Sequence, residues 1–236
     1  MSELVRYELR DSIATITMDD GNVNALSLQL LTALGAALDR AAADRAVVVL
    51  SGRDGIFSAG FDLRVLRAGG SEAIAMVRAG FELAERALAF PTPIVVACTG
   101  HAVAMGAFLL LAGDYRVGAR GPYKFTANEV AIGLTMPYAA IEILRQRLTP
   151  ACFNRATLLA ETFAPEAAVE AGFLDTVVDA SEVQTTARST AVALSSLDMP
   201  AHAATKLRAR AHTLEAIRAG IDADDAALRH PVLTSP

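Results

Sequence analysis

The sequence predicts an α/β fold: short apolar runs alternate with helical periodicities up to about residue 180, and helices alone complete the chain. Two stretches carry most of that prediction. Ala46–Leu50 is a continuous apolar run of the kind a parallel strand covered on both faces requires. Ile94–Asp114 (IVVACTGHAVAMGAFLLLAGD) reads as a buried strand over Ile94–Cys98, a tight Gly-His-Ala turn, and a helix over Met105–Ala112 with almost no polar face. Such a junction leaves unpaired N–H groups at the helix start, and these suit an oxygen that gathers negative charge.

Taken in order, Leu4–Leu9 and Ser12–Met18 alternate as two strands of a hairpin around Arg10-Asp11. Asp19-Asp20-Gly21-Asn22 has turn chemistry, and Ser27 is an N-cap for a helix whose leucines repeat at helical spacing to about Ala43. A loop over Ser51–Gly55 precedes Phe57–Leu63, where Asp62 is placed to cap a short helix. The helix Ser71–Ala89 is broken off by Pro91 and Pro93. Beyond Asp114–Gly118, a strand, and Tyr123–Val130, an irregular one, helices are expected over Pro137–Leu148, Pro150–Ala160 and Pro165–Ala171. Leu174–Val178 is a last strand. Helices over Glu182–Ser196, Ala201–Ala219 and Asp222–Leu228 follow. The expected division is a core over 1–180 and a helical region over 181–236.

Composition narrows the function. The 236 residues are 53% hydrophobic with positive mean hydropathy, yet no apolar run reaches the ~18–20 residues of a bilayer span. That surplus predicts interfaces between copies of the chain. A net charge of −5 argues against nucleic acid. The N-terminal residues carry charges of both signs and no signal-peptide core, and Cys98 and Cys152 sit in apolar contexts as packed thiols, so the cytoplasm is expected. His101, His202, His212 and His230 are scattered without partners at ligand spacing, and no metal is expected.

Around Ser58, Ile56 breaks the glycine spacing that a hydrolase nucleophile needs, so this serine is not read as one. The whole constellation instead resembles the crotonase (enoyl-CoA hydratase/isomerase) superfamily. The resemblance rests on Phe57-Ser58-Ala59-Gly60-Phe61-Asp62-Leu63, Gly100-His101-Ala102-Val103-Ala104-Met105-Gly106-Ala107 and Asp114-Tyr115-Arg116. It continues through Asn24-Ala25-Leu26, Ala127 to Leu134 and Ala167 to Val178. It implies a crotonase spiral of β-β-α repeats, two roughly perpendicular sheets, a helical C-terminal region, and a homotrimer or homohexamer.

The resemblance also implies an acyl-CoA substrate whose thioester oxygen is clamped by the N–H groups of Phe61 and Met105. Coenzyme A is then part of the substrate, and no separate cofactor is needed. Ala25 and the run Ala59, Gly60, Phe61, Asp62 and Leu63 fall where relatives seat adenine. Arg64 and Arg67 are candidates for the phosphates. Lys206 and Arg210, one helical turn apart, read as solvated charge, with contact to a neighbouring subunit's ligand as the other reading. Glu129 matches the family's second catalytic glutamate. In an apolar stretch, its pKa is expected to rise toward the range useful for proton transfer.

The place of the family's first glutamate is occupied by Phe108, which can neither hold nor activate water and is expected instead as an aromatic, substrate-binding wall of the acyl site. The resemblance is therefore to the single-glutamate Δ3,Δ2-enoyl-CoA isomerases, in which one carboxyl takes the C2 proton and returns it at C4. Asn128 is expected to orient Glu129 by a hydrogen bond. A hydratase and a non-catalytic acyl-CoA-binding protein are the alternatives. His101 is read as a packed, hydrogen-bonded side chain and Glu142 as solvated, while spacing places neither Tyr123 nor Tyr138 in the site.

Overall fold

The computed structural model describes residues 4–229, so His230 and the first three residues of the N-terminal reading lie outside it. Strands β1 (Val5–Arg10) and β2 (Ile13–Met18) form the expected antiparallel hairpin. Then come β3 (Ala25–Leu26) and α1 (Leu28–Ala43), whose N-cap Ser27 accepts the Leu30 N–H. Next are β4 (Val47–Ser51), β5 (Gly55–Ser58), β6 (Gly60–Phe61), α2 (Leu63–Ala68) and α3 (Gly70–Leu88). The centre of the chain is β7 (Ile94–Cys98), β8 (Gly100–Val103), α4 (Met105–Leu111), β9 (Tyr115–Ala119) and β10 (Phe125–Thr126). Helices α5 (Tyr138–Arg145), α6 (Pro150–Leu159) and α7 (Pro165–Ala171) precede β11 (Thr176–Val178), and α8 (Val183–Leu194) and α9 (Met199–Arg229) follow it.

Six strands make one sheet in the order β1-β2-β4-β7-β9-β11, parallel except for the opening hairpin. Every residue of β4 and β7 is buried because both faces are covered. Alternate residues go to opposite sides, as strand geometry requires. Val48, Leu50, Val96 and Cys98 join the main core with α1, α3 and α4. Val47, Val49, Val95 and Ala97 face a second cluster completed by Val183, Ala187 and Ala191 of α8. The helical region thus supplies one wall of the sheet.

Three expectations are corrected. Residues 100–103 pair as β8 with both β5 and β10, so the turn before α4 shrinks to Ala104, which takes a left-handed φ of 51°. Only two residues of the irregular strand over 123–130 pair, because the chain then winds into a 3-10 turn over Val130–Ile132 that closes on Gly133 at φ 79°. Asp222–Leu228 is no separate helix but the end of α9. Gly220 does not stop that helix; it lets α9 cross α5, where a Cβ would lie 2.7 Å from the Ala139 nitrogen.

Lys206 and Arg210 are also corrected: neither is solvated surface charge. Lys206 is buried and donates to Asp114 at 2.6 Å, and Arg210 meets the other oxygen of the same carboxylate at 2.9 Å. Asp114 further accepts the Ile94 N–H at 2.8 Å, so it ties α9 to the starts of β7 and β9. Burial pulls the Lys206 ammonium down to about 8, against the pull of Asp114. Among the described residues no helix is long and apolar enough to cross a membrane.

Candidate active site

A second, three-stranded sheet organises the site. Its order is β10-β8-β5, all parallel, with Ser58 paired to Ala102 and Thr126 to Val103. Parallel strands in register end on the same side. Just past those ends come Phe61, Met105 and Glu129, the three residues whose chemistry the sequence singled out. The C-terminal edge of parallel strands is where α/β folds place ligands.

Small residues let these ends approach one another. Gly60, at φ 91°, lies so near the α4 turn that a Cβ would be 3.0 Å from the Ala104 Cβ and 3.3 Å from the Met105 nitrogen. Gly106 lets α4 lie on the Ser58 carbonyl, where a Cβ would be 2.4 Å away. Ala104 holds its unusual φ because its N–H is fixed to the Thr126 carbonyl at 2.9 Å. A non-glycine residue in such a region costs on the order of 1–3 kcal/mol, a strain that clusters at functional sites. As the first residue of α4, Met105 has no intrahelical acceptor for its N–H.

The opposite wall is equally pinned. Ser58 donates to the Asn24 carbonyl at 2.7 Å and accepts the Gly60 N–H at 3.1 Å. Asn24 is buried, at φ 50°, and its amide donates to the Met18 and Phe57 carbonyls, each at 3.1 Å. The Asp20 carboxylate gathers the N–H groups of Asn22, Asn24 and Ala25. Asn24, Ser58 and Asp20 position the site, and residue spacing alone had assigned them nothing. The signal available was the pair of turn-forming residues, Asp20 and Asn24, flanking the predicted loop.

Glu129 is 7% exposed, and its Oε2 has no hydrogen-bond partner. Burial raises its pKa from 4.5 to about 7, opposed in part by a hydrogen bond from its own backbone N–H. At neutral pH it therefore both accepts and donates protons readily. No hydrogen bond joins it to Asn128, whose own Oδ1 is buried and unpartnered, so the expected orienting bond is absent. Two carboxylates are buried among the described residues, Glu129 and Asp224. Asp224 is occupied, since it accepts the N–H groups of Tyr138 and Ala139 at the start of α5.

A cleft of about 830 Å³ opens beside these elements. Ala25, Ala59, Phe61, Asp62, Leu63 and Arg64 all line it, which brings together most of the residues expected to bind substrate. Gly60 lies between two of them, buried. Met105, Glu129 and Phe108 do not line the cleft. Phe108 is 1% exposed, within the core and stacked on Phe81 with ring centroids 6.1 Å apart, so it is no open wall of the cleft.

Asp62 caps α2 as expected, accepting the Arg64 N–H at 2.9 Å. The Arg64 guanidinium turns back on the same carboxylate at 3.0 Å and holds its pKa below the ordinary range. His101 accepts the Lys124 N–H at Nδ1 and packs edge-on to Tyr123, the hydrogen-bonded role expected of it. Glu142 is half-buried and accepts from Arg145, and Tyr138 is exposed. Among the described residues no group of acidic, His or Cys side chains is arranged to hold a metal.

Known proteins resemble this chain over nearly its whole length. Residues 8–234 match the family model described as enoyl-CoA hydratase/isomerase. The human mitochondrial enoyl-CoA delta isomerase 1 is 31% identical over 227 residues, covering 94% of this chain and 75% of the relative. The apo structure of the Mtb enoyl-CoA isomerase superimposes with a TM-score of 0.92 at 52% identity, covering 96% of this chain and 99% of that one. An enoyl-CoA hydratase from Mycobacterium marinum gives the same TM-score at 49% identity, covering 96% and 100%. With a family match over nearly its whole length, and a fold shared with solved members, the chain belongs to the enoyl-CoA hydratase/isomerase family of the crotonase superfamily.

Proposed function

We propose that this family enzyme converts 3-enoyl-CoA thioesters to trans-2-enoyl-CoA, with Glu129 as the single acid and base. The N–H groups of Phe61 and Met105 hold the thioester oxygen. Glu129 removes a C2 proton, and the electron pair of that C–H bond moves into the dienolate, whose negative charge rests on the clamped oxygen. The protonated carboxyl then delivers the same proton to C4, the double bond moves to C2–C3, and the carboxylate is restored. Atoms and charge balance without water.

One observation carries this reading: Glu129 is the buried carboxylate with a free oxygen, while Phe108 stands in the apolar core where a second carboxylate would be needed. Burial supplies both requirements of a lone base, a pKa near 7 and shelter for the carbanion from water. Hydration is the second reading, favoured by the name of the Mycobacterium marinum structure. It requires Glu129 alone to activate the water. Retention of acyl-CoA binding without turnover is the third.

Ala25 and Ala59–Leu63 are proposed to seat the coenzyme A portion, since they line or adjoin the cleft. Exposed Val130, Ile132, Leu134, Leu158 and Leu159 support assembly into a homotrimer or homohexamer. Incubation with a 3-enoyl-CoA tests the reaction through the absorbance of the conjugated thioester. Conjugation that disappears in Glu129→Gln supports the isomerase. Loss of absorbance from a 2-enoyl-CoA, with no conjugation of the 3-enoyl isomer, refutes it in favour of hydration.

A further inference from the structure

One aromatic ring, that of Phe61, is shared between the cleft and the packed interior. Phe61 lines the cleft on one side. On the other, its ring sits directly over Gly80 of α3, where a Cβ would fall 2.4 Å from Cε1 and 2.5 Å from Cζ. That same point is 3.5 Å from the Met105 Cγ, so the ring and the Met105 side chain both border the space over Gly80. Phe81 holds the ring edge-on at 6.1 Å and 76°, and stacks in turn on Phe108. On the side away from the cleft the neighbours are buried: Phe81, Met105 and Phe108 are at most 1% exposed.

We propose that the Phe61 side chain sets acyl-chain length, as an aromatic stop seated on Gly80 that admits short acyl groups and turns away long ones. This deepens the reading of the site given above and rests on it. The backbone N–H of Phe61 and its ring then have separate tasks, one polar and one steric. Glycine at position 80 is required because any side chain would drive the ring into the cleft. A long alkyl chain could enter only by displacing a ring held on three sides by Gly80, Phe81 and the neighbourhood of Met105. The substrate class that follows is the short-chain 3-enoyl-CoA thioesters.

The test is calorimetric binding of butanoyl-, hexanoyl-, octanoyl- and dodecanoyl-CoA to the full chain and to Phe61→Ala and Phe61→Leu. In an open apolar pocket affinity climbs about fourfold per methylene. The wild type should bind butanoyl- or hexanoyl-CoA best and lose at least tenfold by dodecanoyl-CoA. In Phe61→Ala the optimum should move to longer chains. Wild-type affinity that rises steadily to dodecanoyl-CoA overturns the proposal, as does an optimum unmoved by the substitutions. If Phe61→Ala does not fold, Phe61→Leu and the wild-type series decide. Turnover of matched 3-enoyl-CoA thioesters separates the two claims: a length limit in binding without conjugation at any length refutes the isomerase but not the stop. Absence of binding to every thioester refutes both.

Discussion

Replacing Glu129 with glutamine should make the protein more stable at alkaline pH while removing its activity. The carboxyl has a pKa of about 7 in the folded chain against 4.5 when unfolded, a difference caused by burial. Each unit is worth ~1.4 kcal/mol, so keeping the charged form inside costs the fold roughly 3 kcal/mol. The sign follows from proton binding. Between pH 4.5 and about 7 the folded state holds more of this proton than the unfolded state, so stability falls as pH rises and levels off above about 7. Glutamine, nearly the same shape and uncharged, has no such dependence. Urea unfolding of both proteins at one concentration, from pH 5 to 9, should give similar stabilities at the acid end. The variant should lead by ~2–3 kcal/mol at the alkaline end. Two curves that stay parallel across the range would refute the buried, charge-destabilised carboxyl.

Three other outcomes follow from the same geometry. The kcat/KM for a 3-enoyl-CoA should rise with pH through a limb near pH 7, since the base must be ionised in the free enzyme; a profile flat from pH 5 to 9 contradicts this. Gly60→Ala should cut turnover by 10-fold or more while destabilising the chain by ~1–3 kcal/mol, because it forces a Cβ to 3.0 Å from Ala104 and the Val103 carbonyl at φ 91°. Steady-state kinetics and thermal unfolding check it. Asp114→Ala should cost ~3–5 kcal/mol in chemical denaturation, because it leaves buried Lys206 and partly buried Arg210 without their shared carboxylate.

How far the site could be read from the chain depended on whether the relevant partner was local. The strand before and the helix after Ala104 were legible because their apolar runs are contiguous, whereas the turn read between them is the strand β8, whose partners β5 and β10 lie elsewhere in the chain. Ser27 and Asp62 were legible because a cap bonds two or three residues away. Lys206 and Arg210 were misread because their charge partner lies 92 residues from Lys206, and helical spacing alone looks the same on a solvated face. The break expected between Ala219 and Asp222 is absent because Gly220, continuing the helix, serves the crossing of α5 by its lack of a side chain. The pairing of β5, β8 and β10, which gathers Phe61, Met105 and Glu129, carries no periodic signal because β10 is two residues long. The fit of the Phe61 ring onto Gly80 is likewise a property of two elements in contact.

The most direct trial of a lone, sheltered carboxyl is to follow the proton itself. A 3-enoyl-CoA carrying deuterium at C2 is converted in ordinary water, and the product is analysed for label at C4. If Glu129 takes the deuteron and gives it back before solvent exchanges it, a measurable fraction of product carries deuterium at C4. Product with C4 protons drawn wholly from solvent, or a 3-hydroxyacyl-CoA in its place, would contradict the account.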